Sequence, residues 1–180
     1  MSIKIIKAGI ADSFQDLGRY GFQHLGINPN GAMDIIAAQV ANMLVGNDVD
    51  DAVIELHFPA SIFLFQQQAL IALSGADFTA MINDEYVPIN TPIIVEKNCV
   101  LQFKKLNDGA RCYLAIKGGW QIEKQLNSYS TNTKANFGGY FGRFLQKDDN
   151  IRFNDNNNYA RVINKHDSIC LHWKADVKEL

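Results

Sequence analysis

The sequence has few cysteines, no long apolar run and little net charge, and each shortage excludes a class of protein. Its three cysteines are odd in number, far apart and without a CxxC pair, which argues against a disulfide framework or a zinc ribbon and favours a reducing compartment. No apolar run approaches the roughly 18 residues of a bilayer-spanning helix, and the start, MSIKIIKAG, lacks the long apolar stretch of a signal peptide. The net charge of −2 has both signs interspersed, which gives no electrostatic basis for binding nucleic acid or membrane. We therefore expect a cytoplasmic protein that binds neither.

Common catalytic motifs are also missing. The sequence contains no GxxxxGK[ST] phosphate loop, no HExxH and no GxSxG. Its four histidines do not stand at metal-ligand spacing, so we predict no metal site.

What is present is a chain of 180 residues with 47% apolar composition, enough for one substantial domain. Apolar residues recur at steps of three and four from Ala32 onward, which predicts one amphipathic helix. Asn30 or Gly31 is expected to begin this helix and Gly46 to end it. Asp34 would then lie in the first turn, where the helix dipole favours a carboxylate.

Short β-like segments make up most of the remaining chain. Their close, regular spacing predicts a mainly β domain with one or two helices, arranged as a closed or partly closed barrel. NDEY and NDGA are predicted hairpin turns. The predicted strand segments are SIKIIKAG, AVIELHF, SIFLFQ, ALIALSG, FTAMIN, PIIVEKN, VLQFKKL, ARCYLAIKGG and NIRFN. The domain is expected to span residues 1–154, and residues 155–180 to form a polar linker and tail.

One segment is neither helical nor strand-like in pattern: SFQDLGRYGFQHLGINPNGAMD, residues 13–34. It has four glycines and most of a catalytic set of side chains, so it is either a binding loop or a series of turns. In the second interpretation its glycines adopt positive φ, and Arg19 and Asp16 form an ordinary surface pair. Residues 73–77 and 128–132 are polar loops with the same two interpretations. The residues alone therefore indicate a β-rich domain with three polar loops and no stated reaction.

Taken together, these loops resemble one known family. QDLGRYGFQHLG, NGAMD, LVGN, LSGAD, ARCYLAIKGG and STNTKANFGGYFGR occur in the order found in the biotin-dependent carboxyltransferases, also called the allophanate hydrolase subunit 2 family. The family includes one of the subunits of bacterial 5-oxoprolinase. The resemblance covers residues 3–154 and implies a cyclophilin-like β-barrel. It extends to the N-terminal half of such proteins only, with ARVIN resembling the start of a second half. Asn30 replaces the family's serine before GAMD, and LNSYST replaces GSRST.

The resemblance implies three alternative functions. The first is a subunit of an ATP-dependent 5-oxoprolinase, working with a cyclophilin-like partner similar to allophanate hydrolase subunit 1 and with a lactam-processing subunit. The second is a carboxyltransferase acting on urea or a similar amide, as in urea carboxylase. The third is a regulatory module that pairs with a kinase inhibitor. No biotin-attachment MKM occurs, so we expect no covalent cofactor, ATP to be used by the assembled complex, and any carboxybiotin to be delivered by another chain.

The resemblance also implies roles for residues in the matching motifs. Arg19 is expected to hold a carboxylate, carbamate or phosphate, His24 to act as acid and base, and Asp34 to orient one of them. The expected substrate-binding residues are Gln15, Asp16, Ser74, Gly75, Asp77, Ser130, Thr131 and Arg143.

Overall fold

The structure is a computed structural model that describes residues 1–154. Within them the chain forms eleven strands, one α-helix (α1, Ile35–Val45) and one 3₁₀ turn (Gln23–Leu25). The strands are β1 (Ser2–Lys7), β2 (Ser13–Gln15), β3 (Val53–Leu56), β4 (Ile62–Phe65), β5 (Ala69–Asp77), β6 (Ala80–Ile82), β7 (Glu85–Tyr86), β8 (Pro92–Val95), β9 (Val100–Phe103), β10 (Asp108–Ile116) and β11 (Asn150–Arg152).

The strands divide into two antiparallel sheets. The first has the order β11-β1-β4-β9-β6-β7 and the second the order β2-β3-β10-β5-β8. Within residues 1–154 the two sheets are not joined into one closed cylinder of hydrogen bonds. The prediction of a mainly β protein with one or two helices is confirmed, with a single α-helix in the described part of the chain.

The second sheet is buried on both faces. Successive side chains of a strand point to opposite sides, and on this sheet both sides are covered by apolar residues. On β10, Leu114 and Ile116 face the main core between the sheets, whereas Tyr113 and Ala115 face α1. The same alternation on β3 places Ile54 in the main core. A second layer of apolar packing therefore lies between this sheet and the helix.

Helix α1 packs on the second sheet through small residues, Ala37, Ala38 and Ala41. Asp34 is its N-cap, because the Asp34 side chain accepts a hydrogen bond from the Ala37 amide at 3.0 Å. The prediction that Asn30 or Gly31 begins the helix is therefore wrong. The predicted end at Gly46 is confirmed, since Gly46 is the left-handed C-cap.

Three other local predictions have clear outcomes. NDEY is a hairpin turn, since β6 and β7 pair on either side of Asn83 and Asp84. NDGA is not a hairpin turn, because β9 and β10 belong to different sheets. The loop of residues 13–34 contains a strand, β2, which lacks an apolar alternation but pairs with β3. The predicted linker and tail, residues 155–180, lie outside the described residues.

The described residues, 1–154, include no helix with the length and apolar character needed to cross a membrane.

Candidate functional site

Asp16 lies at the centre of a buried network that ties the opening loop to residues 125–138. Its Oδ1 accepts hydrogen bonds from the Gly18 amide at 2.8 Å and from the hydroxyls of Ser128 and Ser130. Its Oδ2 accepts from the Tyr129 amide at 2.6 Å. A carboxylate with four donors is well compensated for burial, so Asp16 joins two loops that are more than 100 residues apart in sequence.

Arg19 completes this network and has no exposed surface. Its Nε donates to the Gln125 carbonyl and its Nη2 to the Ser130 carbonyl, both at 2.9 Å. The guanidinium lies 4.5 Å from the centre of the Phe137 ring, a distance typical of a cation–π contact. Burial lowers the pKa of Arg19, and the nearby Asp16 carboxylate acts in the opposite direction. We call Asp16, Arg19, Ser128, Ser130 and Phe137 the buried loop cluster.

Glycine is required at position 138, where residues 125–138 pack against Arg19 of this cluster. Gly138 has a φ of +72°, and a Cβ there would lie 2.2 Å from the Ser130 carbonyl oxygen and 2.8 Å from Nη2 of Arg19. Such distances exclude any side chain at this position. The FGG sequence of residues 137–139 therefore serves close packing against Arg19.

The buried loop cluster fixes the segment that leads into α1. The Arg19 amide donates to the Pro29 carbonyl at 2.7 Å, and the Ala32 amide donates to the Asp16 carbonyl at 2.8 Å. The Asn30 side chain donates to the Thr131 carbonyl at 2.7 Å. These hydrogen bonds fix the chain just before Met33 and Asp34, which lie at the edge of a groove.

That groove lies beside the N-terminus of α1 and has a volume of about 410 Å³. Two acidic residues, Asp34 and Asp108, and one basic residue, Arg111, line it, and most of the other lining residues are glycine or alanine. We call it the helix-edge groove. Its lining consists of Met33, Asp34, Gly75, Ala76, Asp108, Gly109, Ala110 and Arg111.

A buried acid supports the wall of the groove. Glu55 on β3 is paired with Tyr113 on β10, and both side chains point toward α1. Glu55 Oε2 accepts from the Met33 amide at 2.8 Å and from the Tyr113 hydroxyl at 2.9 Å, while that hydroxyl accepts from the Asp34 amide at 2.7 Å. Burial and the nearby Glu55 carboxylate raise the pKa of Tyr113, which keeps its hydroxyl protonated and able to donate.

Arg111 is held less completely. Its Nε is buried without a hydrogen-bond partner and lies 3.9 Å from Glu55 Oε1, while Nη1 donates to the Ala110 carbonyl at 2.8 Å. Burial, and then the positive charge of Arg111, lower the pKa of His57, so that imidazole is neutral at neutral pH. The groove thus contains a cation whose donors are only partly used.

The structure separates the residues predicted from sequence into several places. Asp34 and Gly75 line the helix-edge groove, and Ser74 is buried on β5 opposite Tyr113. Asp16, Arg19 and Ser130 belong to the buried loop cluster, and Thr131 is hydrogen-bonded to the Phe14 carbonyl beside it. Gln15, which is buried, accepts from the Gly31 amide and donates to the Ser13 hydroxyl.

The remaining predicted residues lie elsewhere. Asp77 accepts hydrogen bonds from the Thr79 amide and the Asn107 side chain at the end of β5. Arg143 makes a bidentate ion pair with Asp149, with both distances 2.8 Å. His24 is exposed on the 3₁₀ turn. The roles assigned to all these residues stay predictions.

Sequence reasoning missed Glu55, Tyr113 and Arg111. One signal was present, because Glu55 is a charged residue at the centre of the apolar segment AVIELHF. A buried acid in such a strand needs partners, and these partners come from segments distant in sequence. Arg111 and Tyr113 lie inside ARCYLAIKGG, which is one of the family motifs, but its strand-like pattern gives no sign of a groove.

Comparison with known proteins identifies the family. Residues 25–177 match the family described as the carboxyltransferase domain, subdomain A and B. The chain is 35% identical over 149 residues to a 5-oxoprolinase subunit of Escherichia coli, covering 83% of this chain and 48% of that one. It is 36% identical over 149 residues to urea amidolyase of Saccharomyces cerevisiae, covering 82% and 8% of the two chains.

A solved structure shows the same fold. The crystal structure of urea carboxylase from Kluyveromyces lactis matches with a TM-score of 0.83 and 34% identity, over 86% of this chain and 14% of that one. The present chain thus spans about half the length of the 5-oxoprolinase subunit and a small part of the urea-processing proteins. With its two antiparallel sheets and its match over residues 25–177, the chain belongs to the carboxyltransferase domain family, subdomain A and B.

Proposed function

We propose that this chain supplies one half of the substrate cleft of an ATP-dependent 5-oxoprolinase, a complex that opens 5-oxoproline to glutamate. The observation that carries the proposal is the helix-edge groove, where Asp34, Asp108 and Arg111 line one small polar site. The 35% identity to a 5-oxoprolinase subunit supports the choice of reaction. Cys99 and Cys112 are free and buried, which agrees with a cytoplasmic location as part of the same proposal.

The reaction defines what the cleft needs. Opening the lactam breaks the bond between the carbonyl carbon and the ring nitrogen, adds the oxygen of water to that carbon, and leaves the nitrogen protonated. ATP and a second water become ADP and phosphate. The substrate therefore needs a partner for its N–H, a cation near the oxygen that gains negative charge, and a proton carrier.

We assign these roles from the positions of the side chains. Arg111 is placed to stabilise negative charge on oxygen, and Asp34 to accept a hydrogen bond. His24, exposed on its 3₁₀ turn, is the acid and base if a partner brings it to the cleft. Arg19 is a positioning residue in this proposal, because it has no exposed surface and its Nε and Nη2 donate to two backbone carbonyls, which leaves Nη1 as its one buried nitrogen without a partner.

The groove is proposed to be completed by another protein surface. Met33 and Ile36 are 71% and 73% exposed, and Met43 is 55% exposed, so an apolar stripe runs along α1 away from the groove. Exposed apolar surface of this kind is typical of protein interfaces. The proposed occupant is a cyclophilin-like partner subunit with an apolar face, working beside a lactam-processing subunit.

The proposal is tested with a complex assembled from this full chain and the proteins encoded beside it. We expect glutamate to be released from 5-oxoproline only when ATP and this chain are both present. Release at the same rate without the chain would contradict the proposal. A complex lacking the lactam-processing subunit is the matched control for assembly.

A second candidate function is transfer of a carboxyl group from carboxybiotin to urea or a similar amide. It is favoured by the TM-score of 0.83 to a urea carboxylase and the 36% identity to a urea amidolyase. The groove's carboxylates and guanidinium suit a cyclic ureido group, which has N–H donors and a carbonyl oxygen. Biotin-dependent incorporation of labelled bicarbonate into urea, with no glutamate release, would select this function instead.

A further inference from the structure

A large irregularity in the second sheet opens the helix-edge groove. In the pairing of β10 with β5, Asp108 lies opposite Asp77 and Cys112 lies opposite Gly75, with a shift of register between them. Three residues, 109–111, therefore face the single residue Ala76. Such a bulge takes residues out of the hydrogen-bonded ladder and changes the direction of side chains, often beside a functional site.

Glycines allow the two strands to approach at this bulge. A Cβ at Gly75 would lie 2.5 Å from the Arg111 carbonyl oxygen, and a Cβ at Gly109 would lie 2.7 Å from the Ala76 Cβ. Both glycines have positive φ, +93° and +78°, which other residues rarely adopt. The bulge is thus closely fitted, and it places Arg111 on the groove wall.

Arg111 has hydrogen-bonding capacity to offer a ligand. A guanidinium carries five N–H donors, of which one is used on the Ala110 carbonyl. Its side chain is 28% exposed, and Glu55 lies behind it at 3.9 Å from Nε. The Arg111 guanidinium is therefore restrained by Glu55 and the Ala110 carbonyl, while most of its N–H donors make no hydrogen bond within residues 1–154.

Asp34 offers an acceptor at the same groove. One oxygen, Oδ1, caps α1 by accepting from the Ala37 amide. Within residues 1–154, no donor is hydrogen-bonded to the other oxygen, Oδ2, and the residue is exposed. The Asp34 backbone is fixed by the hydrogen bond that its amide donates to the Tyr113 hydroxyl. The position of the Asp34 carboxylate is therefore defined.

We propose that Arg111 and Asp34 bind the two polar atoms of one cyclic amide, with Arg111 donating to the carbonyl oxygen and Asp34 accepting from the ring N–H. This assignment rests on the proposed function and names the residues that read the substrate. Asp108 adds a second carboxylate to the lining, so the groove suits the neutral amide edge of 5-oxoproline better than the carboxylate of the same molecule. A lactam and a cyclic ureido ring both present a carbonyl oxygen beside a ring N–H. The choice of probe in the binding experiment distinguishes the two.

The first test measures binding to the full chain by NMR titration. The probes are 2-pyrrolidinone, its N-methyl derivative, which lacks the N–H, and the cyclic urea 2-imidazolidinone. We expect 2-pyrrolidinone to shift the amide signals of residues 109–111 and to bind about tenfold more tightly than the N-methyl derivative. Tighter binding of the cyclic urea than of the lactam would assign the groove to a ureido ring.

Variants identify the two contacts. Arg111→Gln should weaken both lactam probes by about tenfold, and Arg111→Lys should weaken them less, since it keeps the charge. Asp34→Asn, which retains a good helix cap, should reduce the preference for the N–H-bearing probe. Arg152→Gln and Asp50→Asn, both at exposed positions, are the matched controls. Equal binding by wild type, Arg111→Gln and Asp34→Asn would overturn the assignment, as would the absence of binding by the wild type.

The second test places the same variants in the assembled complex and measures glutamate release. Loss of activity with Arg111→Gln and Asp34→Asn, but not with the controls, is the expected result. An active complex that is indifferent to both variants overturns the assignment and leaves the proposed function intact. Probe binding that depends on both residues, in a wild-type complex that releases no glutamate, removes the proposed function and supports the assignment of the groove.

Discussion

The buried loop cluster contains one arginine and one carboxylate and the helix-edge groove is lined by one arginine and two aspartates, but the two arginines differ in their surroundings. Arg19 has no exposed surface and donates to two backbone carbonyls, and Asp16 beside it accepts four hydrogen bonds. Arg111 is 28% exposed, and its nearest carboxylate lies 3.9 Å away. Each arginine has one buried nitrogen without a hydrogen-bond partner, Nη1 of Arg19 and Nε of Arg111, so the two differ in exposure and in the number of bonds they make. A fully buried guanidinium bonded to two carbonyls holds loops together, whereas a partly exposed one at a groove is available to a ligand.

This difference changes how the opening loop is understood. Its glycines, arginine and aspartate make it the segment by which the family is recognised, yet its polar side chains are mostly bonded within the protein. The loop's contribution is to hold Met33 and Asp34 at the groove. Within this loop Asp16 and Arg19 are therefore bonded to the protein itself, whereas His24 and Asp34 are the residues to which the proposal gives chemical roles.

The sharpest test of the difference exchanges the two arginines for methionine. Arg19→Met removes the donors to two buried carbonyls and is expected to lower the free energy of unfolding by about 3 kcal/mol. Arg111→Met removes a partly exposed charge and is expected to cost less than about 1 kcal/mol. Urea unfolding of both full-length variants measures this. Equal losses would show that Arg111 is as structural as Arg19.

A glycine pair tests the packing of the buried loop cluster. Gly138→Ala forces a Cβ against the Ser130 carbonyl and is expected to destabilise the protein by about 2–3 kcal/mol. Gly26→Ala is the control, since Gly26 also has positive φ but a Cβ there meets nothing within 4 Å; its strain costs about 1 kcal/mol. Thermal unfolding separates the two, and equal shifts in melting temperature would contradict the close packing.

Glu55 tests whether the groove wall depends on a buried acid. Glu55→Gln keeps the shape but weakens the bonds to the Met33 amide and the Tyr113 hydroxyl, with an expected cost of about 1 kcal/mol. Misplacement of the groove wall is expected to lower kcat/KM for 5-oxoproline about tenfold. Glu85→Gln, on exposed strand β7, is the control. An unchanged kcat/KM would show that the wall does not position substrate.

His24 is expected to have the smallest effect on stability. Because it is exposed, His24→Ala should change the free energy of unfolding by less than about 0.5 kcal/mol. As the proposed proton carrier, its loss should lower kcat of the assembled complex about 10²–10⁴-fold. Steady-state glutamate release measures the second effect. Activity equal to the wild type would remove His24 from the reaction and leave the groove assignment unaffected.

Local patterns predicted much of the fold. The apolar stripe from Ile35 to Leu44 predicted α1, and short β-like segments at regular spacing predicted most strands. Positive φ at Asn83 and Asn98 shows why asparagine-containing breaks separate those strands. These features depend on neighbours within a few residues, which the sequence displays directly.

The candidate site depends on contacts between segments distant in sequence, so local sequence patterns could not predict it. Glu55 and Tyr113 are 58 residues apart, and Asp16 and Ser130 are 114 apart. NDGA has the composition of a hairpin turn, but β9 and β10 lie in different sheets, and its last three residues belong to β10, where Gly109 and Ala110 are part of the bulge. Asp34, Gly75 and Arg111 all lie in family motifs, but Arg111 was interpreted only as part of a strand, and its position on the groove became visible only with the bulge.

The most direct measurement of the central claim is hydrogen–deuterium exchange of this chain in the assembled complex, with and without 5-oxoproline. We expect added ligand to slow exchange in residues 33–37 and 108–112, which border the groove, and to leave residues 125–132 unchanged. Protection of residues 13–19 and 125–132, with none at the groove, would contradict the claim and return the buried loop cluster to the role of binding site.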